Sequence, residues 1–212
     1  MTDDRTFTPA VLTAVDRDAA ADLLAEVFFD NPGHTFIYPD VASRREQLRW
    51  LMHTNLGAQF AVGRSFAEKD ARGDIAAMGF WHAPGTPKAT REQLAQFGFL
   101  DMAARHGQAA FMRMIQSVEE LEKRRADRLD GRQSWYLNNM VVKPAYQGTG
   151  LGTRVLRQQL EQVVDPSGYP ASLTTQKPQN VTFYQRLGFR VTDDRPVGPA
   201  ANSFPNWIMI YG

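Results

Sequence analysis

The chain has 212 residues, a formal net charge of +1 and no cysteine. The length predicts one domain, or one domain with an elaboration, and the near-neutral charge gives no electrostatic case for a nucleic-acid partner. Without cysteine the chain can form neither a disulfide nor an acyl-cysteine intermediate, and the lack of an N-terminal apolar segment predicts no signal peptide, no membrane anchor and a cytoplasmic location.

The first part of the chain predicts strands and helices in alternation. The expected elements are a strand over 9–15, a helix through 20–28, a helix that opens at Ser43, and strands over 60–66 and 75–81. Asp16 or Asp18 would cap the first helix, and Asn31-Pro32-Gly33 would end it. In the second helix, Leu48, Leu51 and Leu56 recur on one face, which indicates packing against a core.

The remainder predicts a helical insertion followed by further alternation. Two helical patterns lie between the third and fourth strands, over 84–133, and one of them carries an apolar stripe typical of a core-facing helix. The later elements are a strand over 134–142, a helix over 151–164, a strand over 171–175, a helix over 178–187, and strands over 189–193 and 206–211. This order indicates an α/β or α+β fold with a mixed sheet of about seven strands, in a single domain spanning 1–212.

A glycine-rich turn joins the fourth strand to the next helix. It reads Gln147-Gly148-Thr149-Gly150-Leu151-Gly152. Glycine allows positive φ and close approach of a ligand, and the free N–H groups at a helix start favour an anion. The dinucleotide pattern G-x-G-x-x-G fails because Thr153 stands where a third small residue is needed, and no Gly-Lys-Ser/Thr follows. What remains is Gln-x-x-Gly-x-Gly, a candidate phosphate-binding turn.

A second segment, Asn180 to Phe189, begins 28 residues after Gly152, which leaves room for one helix and one strand. Together with the stretch Tyr136 to Gly152, it resembles the acyl-CoA-binding motifs of the GNAT superfamily of N-acetyltransferases. The runs Trp-Tyr-Leu, Gln-Gly-x-Gly-Leu-Gly, Phe-Tyr-x-Arg-Leu-Gly-Phe and a terminal Trp-x-Met look most like the puromycin N-acetyltransferase-like branch. The resemblance is clearest over 134–211 and weaker over 9–83.

This resemblance implies a strongly twisted sheet that is splayed between its fourth and fifth strands. It also implies an acetyl-CoA-dependent N-acetyltransferase that works by direct attack in a ternary complex. The pantetheine arm would pair with backbone groups of the fourth strand, as an added strand would. The residues expected to bind acetyl-CoA are Met140, Val141, Val142, Gln147, Gly148, Thr149, Gly150, Leu151, Gly152, Thr153, Asn180, Phe183 and Tyr184.

The resemblance also suggests how protons are handled. Tyr184 is the expected general acid for the leaving thiolate, and the alternative is a core tyrosine beside Phe183. The fourth strand carries no Glu, Asp or His to serve as a base, and Ser134 stands where the branch has histidine. His82, at the end of the third strand, is the candidate base, and the alternative is a surface or capped histidine.

The expected acceptor is the amine of a small molecule, bound opposite acetyl-CoA. Its pocket would be lined by 29–38, by the insertion and by the loop 196–205. The candidate acceptor-binding residues are Phe29, His34, Phe36, Tyr38, Trp81, Asn138 and Asn139, and their alternative role is packing. The four histidines are at least 19 residues apart, which predicts no metal site.

The resemblance leaves the oligomeric state open, a homodimer being one option. Two other functions fit the same motifs. One is an acyltransferase that uses a different acyl-CoA, and the other is a non-catalytic acyl-CoA-binding module.

Overall fold

Seven strands form one mixed sheet in the computed structural model, which describes residues 6–87 and 89–212. The strands are β1 (Thr8–Ala10), β2 (Arg64–Lys69), β3 (Ile75–His82), β4 (Trp135–Val142), β5 (Ala171–Thr175), β6 (Arg190–Asp193) and β7 (Trp207–Tyr211). Their order across the sheet is β1-β2-β3-β4-β5-β7-β6, and only the β4–β5 pair is parallel. The expected mixed sheet of about seven strands is confirmed.

Helices cover both faces of the sheet. They are α1 (Arg17–Val27), α2 (Pro32–Ile37), α3 (Val41–Val62), α4 (Arg91–Gln96), α5 (Met102–His106), α6 (Gln108–Leu129), α7 (Leu151–Gln159) and α8 (Pro178–Gln185). One core cluster joins α1, α3, α5 and α6 to the sheet, and a second joins α7 and α8 to it. The insertion between β3 and β4 is helical, as expected. No helix in the described ranges is long and apolar enough to cross a membrane.

The parallel pair β4–β5 separates after two residues. Trp135 pairs with Ala171 and Tyr136 with Ser172, and no further pairing of these two strands occurs within the described residues. Beyond Tyr136 the edge of β4 therefore diverges from β5. We call the space between them the β4–β5 gap. It confirms the splay that the resemblance implied.

A bulge in β4 changes which side chains face the gap. The register with β3 shifts between Met78 and Phe80, and Asn139 on β4 has φ 55°. Asparagine tolerates this left-handed region better than most residues do. Because one residue is added, Leu137 and Met140 both contact the α7–α8 cluster, although strict alternation would place them on opposite faces. The sequence pattern of β4 does not indicate this bulge.

Several predicted boundaries in the first part of the chain are wrong. The first strand ends at Ala10, and residues 14–16 form a 3₁₀ turn in which the Asp16 carboxylate accepts the Thr13 N–H. Neither Asp16 nor Asp18 caps α1 through its side chain. The strand expected over 60–66 begins at Arg64, because α3 continues to Val62 and its Phe60 packs on Phe80. Tertiary packing here overrides the β-propensity of the aromatic and β-branched residues.

The segment Asn31-Pro32-Gly33 opens a helix instead of closing one. α1 already ends at Val27, and the Asn31 side chain accepts the N–H groups of Gly33 and His34 at the start of α2. Proline at the first helical position suits this arrangement, since its missing N–H would be unpaired there in any case.

Candidate active site

The glycine-rich turn leaves a run of backbone N–H groups unused. Gly148 and Gly150 have φ 76° and 86°, which side chains with a Cβ adopt at a cost. The Gln147 amide donates to the Val142 carbonyl at 3.0 Å, and the Thr149 hydroxyl donates to the Tyr146 carbonyl at 2.8 Å. Within the described residues, no backbone hydrogen bond uses the N–H groups from Gly148 to Thr153. They lie at the N-terminus of α7 and form a concave donor set for an anion.

Close packing brings this turn to the edge of β4. A Cβ placed on Gly152 would lie 3.0 Å from Val142 Cγ2 and 3.6 Å from the Phe183 ring. Glycine at 152 therefore lets α7, β4 and α8 meet at one point. The Asn180 amide donates to the Thr175 hydroxyl at 3.1 Å and ties the start of α8 to the end of β5. The predicted acetyl-CoA segments thus surround the β4–β5 gap.

Two residues of the predicted set turn their side chains into the core. Leu151 is buried in the α7–α8 cluster, and Val141 is buried in the cluster on the opposite face. A contact of either residue with acetyl-CoA would use the backbone. Met140 and Val142 are partly buried against the α7–α8 cluster.

Tyr184 is a residue of α8 that is buried in the α7–α8 cluster. Its residue is 8% exposed, and its ring packs on Phe183 and Phe189 at centroid distances of 5.0 and 5.7 Å. Burial, and secondly the Tyr136 phenol, raise the pKa of Tyr184 above its ordinary value of 10. Its hydroxyl is therefore close enough to that of Tyr136 to be influenced by it, and it stays protonated at neutral pH.

Tyr136 of β4 contacts both β5 and the insertion, and it is not among the site residues predicted from the sequence. Its hydroxyl lies 3.4 Å from the Thr174 hydroxyl across the parallel pair, and the Arg125 guanidinium lies 4.3 Å from its ring centroid. The His82 ring packs edge-on at 6.0 Å. Alternation along β4 could have indicated Tyr136, which shares a face with Asn138. No local pattern indicated Arg125, which comes from the insertion.

His82 ends β3 and pairs with Tyr136 in the sheet register. Its Nε2 lies 2.7 Å from the amide oxygen of Gln59, a buried residue of α3. A carbonyl oxygen accepts, so Nε2 carries the hydrogen and Nδ1 keeps the lone pair. Burial, and secondly the charge of Arg125, lower the pKa of His82. The imidazole is therefore neutral at pH 7 and able to accept a proton.

A cavity of about 320 Å³ opens beside these groups, between the C-terminal half of α6 and the adjoining ends of β3 and β4. We call it the α6 cavity. Its lining includes His82, Thr86, Arg125, Arg132, Ser134 and Tyr136. Ser134 therefore shares this cavity with His82. No group of acidic, histidine or cysteine side chains in the described ranges is arranged to hold a metal ion.

Two candidate acceptor-binding side chains lie in the core instead. Trp81 is 1% exposed and packs between Phe66 and Trp135. Tyr38 is also 1% exposed, and its hydroxyl lies 2.9 Å from His106 Nδ1. Neither aromatic ring lines an open pocket, because each is enclosed by neighbouring elements. The packing alternative describes both residues.

The other three aromatic candidates lie on α2 or just before it. Phe36 packs on Phe204 at 5.2 Å, which joins α2 to the loop before β7. His34 stacks on Phe28 at 5.1 Å, and burial, then Lys177, lower its pKa to about 4. Phe29 lies 5.2 Å from the Arg44 guanidinium.

The two asparagines on β4 differ in their contacts. The Asn139 amide donates to Asn55 at 2.9 Å. Asn138 is half-buried and makes no side-chain hydrogen bond within the described residues.

Ion pairs fix the insertion against the C-terminal strands. The buried Asp193 carboxylate at the end of β6 accepts hydrogen bonds from Arg128 of α6, at 3.0 Å, and from Arg195. These bonds, that to Arg195 first, hold the pKa of Asp193 well below its usual range. Arg124 donates to the carbonyls of Arg195 and Pro196. The insertion and the start of the loop 196–205 are therefore in contact.

Comparison with known proteins identifies the fold. Residues 102–191 match the family model described as an acetyltransferase (GNAT) domain, a region from α5 to β6. A Corynebacterium glutamicum structure described as histone acetyltransferase HPA2 and related acetyltransferase has 22% identity and a TM-score of 0.60, with 97% of this chain and 94% of that chain covered.

Two further solved structures share the fold at lower identity. Arylalkylamine N-acetyltransferase 2 from Aedes aegypti has 12% identity and a TM-score of 0.60, with coverages of 97% and 98%. A GNAT-family acetyltransferase from Staphylococcus aureus has 11% identity and a TM-score of 0.53, with the same coverages. The seven-stranded sheet and its flanking helices are thus those of the GNAT fold. The names of the first two neighbours indicate different acceptors, a histone and an arylalkylamine, and so the fold does not select one.

Proposed function

We propose that this chain, which has the GNAT acetyltransferase fold, transfers the acetyl group of acetyl-CoA to the amine of a small molecule by direct attack in a ternary complex. One observation carries the proposal. The unused N–H groups of the 148–153 turn stand at one end of the β4–β5 gap, and Tyr136, which influences Tyr184, stands where the gap begins at the other end. A pyrophosphate at the turn and an extended pantetheine along β4 would fit this arrangement.

The reaction needs one proton removed and one proton or hydrogen bond supplied. The amine nitrogen forms a bond to the acetyl carbonyl carbon, and the carbon–sulfur bond of the thioester breaks. An alkyl amine with a pKa of about 10.4 must first lose a proton, which costs ~4.6 kcal/mol at pH 7. We assign that proton to Nδ1 of His82, directly or through a water held by Asn138. The lowered pKa of His82 keeps this nitrogen free to accept.

Tyr184 is assigned to the leaving thiolate. A tyrosine with a raised pKa is a weak acid, and full proton transfer to a thiolate with a pKa of about 8.5 is uphill. A hydrogen bond that strengthens as charge develops on sulfur still stabilises the transition state. Packing of the Tyr184 ring on Phe183 and Phe189 would hold the hydroxyl in one orientation. The raised pKa therefore supports a role as hydrogen-bond donor.

The resemblance to the puromycin N-acetyltransferase-like branch supports a small acceptor, and so does the modest size of the α6 cavity. The test is release of free CoA thiol from acetyl-CoA across small amines, aryl amines, hydrazines, aminonucleosides and basic peptides. The cysteine-free chain adds no thiol background. We expect one class of small amine to exceed the hydrolysis blank. Turnover only on basic peptides, or only with a longer acyl donor, would contradict the proposal.

A further inference from the structure

The α6 cavity is positively charged on the described part of the chain. Two arginines, Arg125 and Arg132, contribute to its lining, and none of its described lining residues is acidic. A cavity that takes a polycationic amine would be expected to present carboxylates, since like charges repel inside a partly desolvated site. This wall instead favours a ligand with negative charge.

Arg125 differs from its neighbours on the same helix. Arg124 pairs with Glu120, and Arg128 pairs with Asp193. Arg125 has no carboxylate partner within 6–87 and 89–212; it donates one hydrogen bond, of 3.3 Å, to the Ser172 hydroxyl and stacks on the Tyr136 ring. A guanidinium has five N–H donors in a planar fork, so this half-buried side chain retains donors that match a carboxylate.

The pyrophosphate of acetyl-CoA cannot be the anion that Arg125 binds. The 148–153 turn is fastened to Val142 at the far end of β4, whereas Arg125 lies over Tyr136 near its start. Six residues of strand separate these positions by about 20 Å. Arg125 therefore lies at the end of β4 where His82 and Tyr184 were assigned to the chemistry.

We propose that the acceptor is an amine that also carries an anionic oxygen group, such as an amino acid or an aminophosphonate, and that Arg125 binds this group in the α6 cavity. The inference rests on the proposed function and names its acceptor class. Anchored at Arg125, the amine of such a compound would lie beside His82, which lines the same cavity. Binding would also neutralise the cation that disfavours protonation of His82.

The test compares matched pairs of amino acid and amino amide with small, aliphatic and aryl side chains, plus the aminophosphonate of each. We would measure kcat/KM and, by calorimetry, binding to enzyme saturated with CoA. The variants are Arg125→Gln, the conservative Arg125→Lys, and Lys123→Gln, which removes an exposed cation from the same helix. Each compound is compared between variants, so intrinsic amine reactivity cancels.

We expect at least one acid to bind about 10- to 100-fold more weakly to Arg125→Gln than to the parent chain, in line with a charged hydrogen-bonded pair. Its amide should change less than about 2-fold, and Lys123→Gln should leave both unchanged. Comparison of the amino acids with the aminophosphonates identifies which anionic group is bound. The inference is overturned if the parent chain does not prefer any acid over its amide. It is also overturned if that preference is unaltered in Arg125→Gln. Arg125-dependent binding without acetyl transfer would retain it and reject the proposed function instead.

Discussion

The proposed donor side of the site uses backbone groups from neighbouring stretches of chain, whereas the proposed acceptor side uses side chains from distant ones. On the donor side, only five residues separate the end of β4 from the 148–153 turn. On the acceptor side, Gln59, His82, Arg125 and Tyr136 come from four different elements. Backbone sites tolerate most side chains except where glycine is required, so they leave a motif. Side-chain sites leave none, because each contributor depends on packing.

The largest expected effect is on the Kd for acetyl-CoA when the 148–153 turn is altered. A matched control separates backbone strain from loss of ligand contacts. Gly150 and Gly168 have φ 86° and 71°, and neither has any atom within 4 Å of an added Cβ. Valine at either position should therefore strain the backbone similarly. We expect Gly150→Val to raise the Kd for acetyl-CoA about 100-fold or more, since the N–H groups of the turn would be displaced.

The control for this substitution is Gly168→Val, in the turn before β5. It should lower Tm by a similar amount and leave the Kd for acetyl-CoA within about 2-fold, because this turn lies beside the start of β4, at the opposite end of that strand from the 148–153 turn. Equal losses of binding in the two variants would show that strain alone weakens binding. The assignment of the turn to pyrophosphate would then be lost.

A smaller effect is expected on kcat when Tyr184, assigned to the leaving thiolate, is changed. Tyr184→Phe should lower kcat about 100-fold through loss of the hydrogen bond to the leaving thiolate, with the Kd for acetyl-CoA nearly unchanged. Initial rates and CoA binding measure the two effects. Tyr211→Phe, which removes a hydroxyl bonded to Asp165, is the control and should retain full turnover. An unaltered kcat in Tyr184→Phe would leave Tyr184 with only its packing role.

On the acceptor side, the pH profile tests His82. Neutral His82 is the active form, so kcat/KM should fall as pH drops through the pKa of His82, which lies below 6.5. An aryl amine acceptor keeps its own titration out of this range. His82→Gln should lower kcat/KM about 10- to 100-fold and abolish the acid limb, whereas His53→Gln should preserve it. An acid limb that persists in His82→Gln would assign the base elsewhere.

The smallest expected effect concerns the ion pairs that hold the insertion. Asp193→Asn should lower the free energy of unfolding by about 2 kcal/mol and Tm by about 4–8 °C, since it weakens bonds to partly exposed arginines. The pKa of Asp193 is depressed on folding, so this stabilisation is present above the unfolded value near 3.8 and is lost as pH falls below it.

Thermal unfolding at two pH values measures this effect. Asp194→Asn, an exposed neighbour, should match the parent chain at both. The difference in stability between the parent and Asp193→Asn should begin to shrink as pH falls below about 4, and it should keep shrinking toward the depressed folded pKa of Asp193. A constant difference across pH would mean that packing of the loop, and not the charge of Asp193, stabilises the contact.

Sequence alone could predict the sheet, its splay and the position of the glycine-rich turn after β4, because each depends on local pattern or on the resemblance. The helical reach of α3 through Phe60 could not be predicted, since its aromatic and β-branched residues favour strand locally and are held helical by packing. The same reason applies to Trp81 and Tyr38, whose burial is decided by neighbours far away in sequence. Arg125 could not be identified from the sequence. Its proposed role depends on the lack of a carboxylate partner such as Arg124 and Arg128 each have.

The most direct measurement of the central proposal is the fate of a labelled acetyl group. The chain would be incubated with isotopically labelled acetyl-CoA and the best acceptor of the panel, and thiol release and acceptor mass would be followed together. We predict one labelled acetyl group on the amine nitrogen for each thiol released. In Tyr184→Phe, thiol release and acceptor labelling should fall by the same factor. Saturable binding of acetyl-CoA without a labelled amine from any acceptor would contradict the proposal and favour a non-catalytic acyl-CoA-binding module.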